Sequence, residues 1–187
     1  MKIALFGKIR SGKNTVADIL TEEYGFRQFA FGGGIGEIIQ KYFPEAFEGG
    51  KPRLHYQHIG QQLRVLNEDV WINYLLKDVE KYKKDCSFLR VCPKNIVVTD
   101  GRQSNEAKRL KEEGYLIVRV KTDSAIRLER MKALGDVFKP KDLLHETELN
   151  VDLIEPDVEI FNNGTVEELK DNIQKLMEQI EKGELNG

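Results

Sequence analysis

The residues best placed to do chemistry stand at the amino end of the chain. Gly7-Lys8-Ile9-Arg10-Ser11-Gly12-Lys13 sets two glycines five positions apart and a lysine directly after the second. That spacing suits anion capture. Glycines let backbone N–H groups curl around phosphate oxygens, a following helix aims its N-terminus at them, and Lys13 neutralises charge between β- and γ-phosphates. The pattern is the G-x-x-x-x-G-K of a P-loop. It makes Gly7, Arg10, Ser11, Gly12, Lys13, Asn14 and Thr15 the candidate nucleotide-binding residues, with ATP as the cofactor. Asn14 occupies the place where Ser or Thr ordinarily binds Mg²⁺, so the metal-binding hydroxyl is expected one residue later, from Thr15. A glycine-rich turn without a ligand is the competing reading, and the strand before it and helix after it disfavour that.

A carboxylate comes next. Lys94-Asn95-Ile96-Val97-Val98-Thr99-Asp100 reads as a buried strand that ends in Asp100, the Walker B form, in which the side chain orients Mg²⁺ and its waters. An apolar run followed by Asp is common by chance, and its weight here comes from the P-loop. Gly101 and Arg102 come directly after it. Farther on, Asp123 is placed to cap a helix with Arg127 and Arg130 on one face. Arginines on helices are mostly just solvated. These two precede a stretch read as a lid, residues 133–144 with Gly135 and Pro140, where guanidinium groups suit stabilising a phosphoryl group in transfer.

Elements that must position these groups emerge from pattern. Met1 to Phe6 is an apolar run suited to a buried parallel strand. Gly12 to Tyr24 is periodic as a helix, with Val16, Ile19 and Leu20 inward and Gly25 ending it. Arg27 to Phe31 alternates as a second strand. Gly32-Gly33-Gly34-Ile35-Gly36 invites a dinucleotide-fingerprint reading, which fails because Glu37 stands where the last glycine belongs. It is expected to be a flexible strand-to-helix junction. Gly49-Gly50-Lys51-Pro52 punctuates the chain, and Arg53 to Lys84 is helical in pattern with a break near Asn67-Glu68-Asp69, where Asp69 fits an N-cap. Residues 35–84 are therefore expected to be a helical insertion covering a substrate, and residues 1–34, 85–132 and 145–187 the core.

Ser104 to Glu113 is a helix closed by Gly114, Tyr115 to Lys121 a fourth strand, and Val158 to Phe161 a fifth. After the Asn162-Asn163-Gly164 turn, Thr165 and Glu168 form a capping box for a helix with Leu169, Ile173, Leu176 and Ile180 in its stripe. Five strands alternating with helices imply a three-layer α/β fold with a parallel sheet.

Composition narrows the classes. At 187 residues, with 40% hydrophobic and 32% charged residues, this is an ordinary globular chain of one domain. A net charge of −2 gives no electrostatic case for nucleic acid or an anionic membrane. No apolar run reaches the ~18 residues of a membrane span, and the N-terminal run reads as a core strand and not a signal peptide. Cys86 and Cys92 form neither a CxxC pair nor a disulfide framework, which fits a reducing, cytoplasmic location. His55 and His58 share a helix face, but no acidic or cysteine partner shares their spacing, so a metal site there is disfavoured.

Together these segments resemble the nucleoside monophosphate kinases, most of all the bacteriophage-type deoxynucleoside monophosphate kinases. The resemblance rests on Gly7 through Ala17, on Gln57-His58-Ile59-Gly60 through Glu68-Asp69-Val70-Trp71, and on Thr99-Asp100-Gly101-Arg102-Gln103-Ser104-Asn105-Glu106-Ala107. His145-Glu146-Thr147-Glu148 and the Asn162–Gly164 turn complete it. It implies a P-loop fold with sheet order 2-3-1-4-5, and phosphorylation of a (deoxy)nucleoside monophosphate by ATP and Mg²⁺. Lys13, Arg102, Arg127 and Arg130 would be catalytic, Arg64, Trp71, Asp100 and Arg102 would bind the acceptor, and Thr15 and Asp100 would serve the metal. Its partner is a small-molecule acceptor, and a homodimer is compatible with it. Gly32-Gly33-Gly34 departs from the Ala-Asp-Pro type of segment found there in relatives. Dephospho-coenzyme A kinase and phosphomevalonate kinase are the alternatives among kinases. A P-loop switch lacks its N-K-x-D and D-x-x-G motifs here, and a nonenzymatic nucleotide binder finds its best support in Asn14.

Overall fold

In the computed structural model, which describes residues 1–133 and 150–185, the first apolar run forms β1 (Lys2–Phe6). The P-loop leads from it into α1 (Lys13–Tyr24), which Gly25 ends in a left-handed conformation, φ 69°. Then come β2 (Arg27–Phe29), α2 (Gly32–Tyr42), α3 (Arg53–Leu66) and α4 (Val70–Phe88). The remainder alternates as β3 (Ile96–Gly101), α5 (Ser104–Glu112), β4 (Leu116–Lys121), α6 (Ser124–Ala133), β5 (Val158–Phe161) and α7 (Val166–Glu181). Short 3₁₀ turns occupy Pro44–Phe47 and Val151–Leu153.

The strands form one sheet in the order β2-β3-β1-β4-β5, with β1 parallel to β3 and β4, and β4 parallel to β5. This is the expected topology. It places β1 at the centre, where a strand covered on both faces must be apolar throughout, and Ile3, Ala4, Leu5 and Phe6 are all fully buried. One face packs Ile3, Leu5, Val97, Val118 and Val120 against Val16 and Leu20 of α1 and Leu169, Ile173 and Leu176 of α7. Ala4, Phe6 and Ile117 alternate to the other face and are equally buried, and α5 packs against β1 and β4. The Thr165–Glu168 capping box starts α7 as expected, each side chain accepting the other residue's backbone N–H.

The chain forms two compact units, Met1–Gln28 with Asn95–Gly187, and Phe29–Lys94. In the smaller unit the Gly32–Gly36 stretch corrects an expectation. It is no flexible junction, because the second strand ends at Phe29 and α2 begins at Gly32. The reason is close packing. A Cβ on Gly34 would lie 2.8 Å from the Tyr74 ring and 3.1 Å from Trp71, and one on Gly36 would lie 2.6 Å from the Tyr56 hydroxyl. Helices α3 and α4 thus bring aromatic rings onto bare backbone. At Asp69 the position is the expected N-cap, but its side chain makes no capping bond. Asn67 Oδ1 instead accepts the Asp69 N–H at 3.0 Å, a local Asx-type bond.

The lid assigned to residues 133–144 and the His145-Glu146-Thr147-Glu148 segment lie outside the described residues, apart from Ala133 at the end of α6. Among the described residues no helix is long and apolar enough to cross a membrane, and both cysteines are free thiols.

Candidate phosphate-binding site

The loop between β1 and α1 is shaped by its glycines. Gly12 has φ 93°, a left-handed value that favours glycine, and a Cβ there would fall 2.0 Å from Asn162 Nδ2. A Cβ on Gly7 would meet Ser11 Oγ and the Val120 carbonyl oxygen, both at 2.6 Å. Arg10 also takes a left-handed φ, 60°, which costs a non-glycine residue energy that the surrounding loop must offset. The Ser11 N–H closes the turn onto the Lys8 carbonyl at 3.2 Å. Ser11 is 1% exposed, and its Oγ is buried with no hydrogen-bond partner among the described residues. A buried hydroxyl left in that state is costly.

Lys13 opens α1 and is only 7% exposed. Its ammonium turns back along the loop and donates to the carbonyls of Gly7, at 2.5 Å, and Lys8, at 3.1 Å. A desolvated cation is thereby held beside the first turn of α1, whose leading N–H groups have no intrahelical acceptors. Asn14 and Thr15 are both exposed in that turn. Buried hydroxyl, glycine-lined backbone and fixed ammonium together fit the phosphates of a nucleotide.

Helix α6 delivers its two arginines to this loop. Arg127, 7% exposed, donates through Nη1 to the Ile9 carbonyl at 3.2 Å, and its Nη2 reaches Ser124 Oγ at 3.5 Å. Arg130 donates through Nη2 to the backbone oxygen and Oδ1 of Asn162, at 3.1 and 3.3 Å. Asn162 in turn donates from Nδ2 to the Ser11 carbonyl at 2.9 Å. Thr122, whose hydroxyl lies 2.9 Å from the same carbonyl, and Asn162, read from the sequence only as part of a turn, are residues at this loop that sequence reasoning did not place there. The available signal was their place, each just past the carboxyl end of a strand next to β1 or one removed, where open α/β sheets gather ligand contacts. Lys8, at a variable P-loop position, pairs with Asp152 at 2.6 Å.

Asp100 and Arg102 come to the same edge by another route. The β1–β3 ladder runs in register from Lys2↔Ile96 to Ala4↔Val98, then resumes at Phe6↔Gly101. One extra residue on β3 makes a bulge spanning Thr99 and Asp100, a device that re-aims side chains at sheet ends. Gly101 is needed there, since a Cβ would lie 2.6 Å from the Phe6 ring. Glu106, 3% exposed, anchors the backbone just past the strand, its Oε2 accepting the N–H groups of Arg102 and Gln103 at 2.9 and 3.0 Å. Thr15 and Asp100 supply oxygen donors, the chemistry a Mg²⁺ ion prefers.

Arg64 and Trp71 belong to the smaller unit. Arg64 sits in the last turn of α3 and is partly exposed. Trp71, expected to bind the acceptor, is 3% exposed, with its indole N–H given to the Gly60 carbonyl at 3.0 Å, so the ring packs in the core of that unit. Among the described residues no group of three or more His, Cys, Asp or Glu side chains is arranged to hold a metal ion, and His55 packs on Phe43 with ring centres 5.4 Å apart.

A family model described as an AAA domain matches residues 3–148. No curated protein sequence matches the chain. Among solved structures it is similar to shikimate kinase from Acinetobacter baumannii in complex with shikimate, at 21% identity and TM-score 0.60, covering 98% of this chain and 94% of that one. Shikimate kinase from Aquifex aeolicus is similar at 19% identity and TM-score 0.56, with all of both chains covered. Dephospho-CoA kinase from Campylobacter jejuni is similar at 14% identity and TM-score 0.54, covering 99% and 100%. These likenesses, with the strand order, show the fold of a P-loop kinase.

Proposed function

The chain belongs to the AAA-domain family, and from that premise we propose that it transfers a phosphoryl group from ATP to a small acceptor, with a (deoxy)nucleoside monophosphate as the acceptor. One observation carries the donor half of this reading. The P-loop holds a buried ammonium beside a buried Ser11 hydroxyl that has no partner among the described residues, in a turn whose shape Gly7 and Gly12 permit. ATP with Mg²⁺ supplies the transferable phosphoryl group and part of its charge neutralisation.

The chain's own residues bind and align. Gly7 to Thr15 hold the donor phosphates, with Lys13 as the fixed cation, and Thr15 and Asp100 are the metal's protein ligands or orient its waters. Arg102 holds the acceptor phosphate, a role that the sequence resemblance also gives to Arg64, Arg130 faces the phosphoryl group in transfer, and Arg127 braces the loop through Ile9. No side chain is assigned as a base, since alignment and charge neutralisation dominate phosphoryl transfer. Residues 35–84 serve as the acceptor lobe and 133–144 as the lid. The Gly60-to-Trp71 segment of the sequence resemblance supports a nucleotide acceptor.

Release of ADP, measured by a coupled assay across all ribo- and deoxynucleoside monophosphates, tests this reading. Shikimate and dephospho-CoA, substrates belonging to proteins of similar fold, are the controls. Turnover with a monophosphate and none with the controls is the expected result. Turnover confined to a control would replace the acceptor and leave the donor site standing.

A further inference from the structure

Asn162 sits at the end of β5, 6% exposed, and every polar atom it has is used. Its N–H continues the sheet to the Lys121 carbonyl at 2.9 Å, and its backbone oxygen accepts from Arg130 at 3.1 Å. Side-chain Nδ2 donates to the Ser11 carbonyl, and Oδ1 accepts from the Arg130 guanidinium. This orientation of the amide is the only one the neighbours permit. Flipped, it would set its NH₂ against a guanidinium and its oxygen against a carbonyl. The amide also lies flat against Gly12, where a Cβ would come within 2.0 Å of Nδ2. The Thr122 hydroxyl lies between the Ser11 and Asn162 carbonyls, at 2.9 and 3.1 Å, and donates its one proton toward either.

Peptide planarity carries this arrangement one step further. In a trans peptide the N–H points opposite to the preceding C=O. With the Ser11 carbonyl drawn to Asn162 and Thr122, the Gly12 N–H is turned away from both. We infer that Asn162, assisted by Thr122, is a positioning residue that locks the Ser11–Gly12 peptide plane so that the Gly12 N–H faces the anion held by the P-loop, and that it ties this plane to Arg130. The inference rests on the nucleotide-binding reading above for its ligand. It goes beyond that reading in assigning to β4 and β5 a function in shaping the loop. Because a wrongly turned plane would present a carbonyl to an anion, the lock decides between attraction and repulsion at one atom.

The test uses the full chain, an isosteric change, and a pair at Thr122. Asn162→Asp keeps the acceptor for Arg130 but sets a carboxylate oxygen against the Ser11 carbonyl. Thr122→Val removes the hydroxyl, and Thr122→Ser restores it. ATP affinity measured by calorimetry should fall about tenfold or more in Asn162→Asp and severalfold in Thr122→Val, with Thr122→Ser close to wild type. Without ligand, the Gly12 amide resonance should move in Asn162→Asp and Thr122→Val, a readout that loss of packing elsewhere does not produce. Wild-type ATP affinity and an unmoved Gly12 resonance in both variants would overturn the inference. If the wild-type protein itself binds no ATP, the functional reading fails, and the ligand-free Gly12 resonance alone decides the peptide lock. If Asn162→Asp does not fold, the Thr122 pair decides it.

Discussion

Two glycine-rich stretches in this chain look alike as strings and do different work. In Gly7 to Gly12 the glycines serve a turn. Gly12 takes a left-handed φ, and its missing side chain lets the Asn162 amide close on the loop, as Gly7 lets the Val120 carbonyl do. In Gly32 to Gly36 the residues are ordinary helix, and the missing side chains let Tyr74, Trp71 and Tyr56 lie directly on backbone. Both stretches let neighbours lie on bare backbone, but only the first also bends the chain into a left-handed conformation that a helix does not need. Glycine content therefore says little by itself, and the lysine after Gly12 is what separates a ligand loop from a packing seam.

The largest effect that can break this comparison is at Lys13. Lys13→Ala should lower turnover by about a hundredfold or more, since a fixed cation at developing charge is worth at least as much as a single oxyanion donor. The thermal midpoint should fall by far less than the turnover, because the loss is confined to the two bonds that the buried ammonium donates to the Gly7 and Lys8 carbonyls. Turnover near wild type in a folded mutant would remove Lys13 from the donor site.

Next come the glycines themselves. Gly12→Ala forces a Cβ against Asn162 at a left-handed φ and should cost at least about tenfold in ATP affinity. Gly34→Ala drives a methyl into two rings, which should destabilise the protein by about 1–3 kcal/mol and leave ATP affinity unchanged. Urea denaturation and calorimetry on both variants make the check. If Gly34→Ala weakens ATP binding as much as Gly12→Ala does, the division into ligand loop and packing seam is wrong.

Legibility in the sequence divides along the same line. Strands whose apolar runs are continuous, such as Ile3–Phe6 and Ile96–Val98, are legible because burial on both faces leaves a local signature. So is the P-loop, because its chemistry depends on spacing within a few residues. The seam at Gly32–Gly36 is not legible. Its cause lies some forty positions away at Trp71 and Tyr74, and nothing local distinguishes a helix that will be covered by rings from a loop. The burial of Trp71 is hidden for the same reason, its partner being the Gly60 carbonyl. Asn162 reads as a turn residue because Asn-Asn-Gly is a turn signal. Its bond to Ser11, 151 positions earlier, exists only once β5 and β1 share a sheet.

A smaller effect is expected at Glu106. Its buried carboxylate accepts two backbone N–H groups on the segment that carries Arg102. Glu106→Ala should cost about 1–3 kcal/mol of stability by stranding those donors, while Glu106→Gln should recover part of it. Denaturant midpoints at constant m-value read this directly. Equal stability in all three proteins would show that the segment needs no such anchor.

The smallest effect compares one tyrosine from each unit. Burial raises the Tyr115 phenol to about 12, with the charge of Glu113 adding to the shift, and its hydroxyl has no partner among the described residues. Tyr74 is also raised, by burial first, then by its hydrogen bond to Glu37 and the charges of Glu37 and Asp78. In both cases the folded chain keeps a proton that the unfolded chain releases once pH passes the ordinary phenol value of about 10. Folded protein then binds more protons than unfolded, so the stability each group contributes is complete below about pH 10 and declines as pH rises toward the folded value. Either Tyr→Phe substitution should flatten that alkaline decline. At neutral pH the two should part. Tyr74→Phe loses a bond to a carboxylate and should cost about 1–2 kcal/mol, whereas Tyr115→Phe removes a buried hydroxyl without such a bond and should be neutral or stabilising by less than about 1 kcal/mol. Urea midpoints at pH 7 and at intervals above pH 9 make the measurement. A Tyr115→Phe protein destabilised at pH 7 as much as Tyr74→Phe would mean that the Tyr115 hydroxyl has a partner after all, and that its raised value comes from a bond and not from burial.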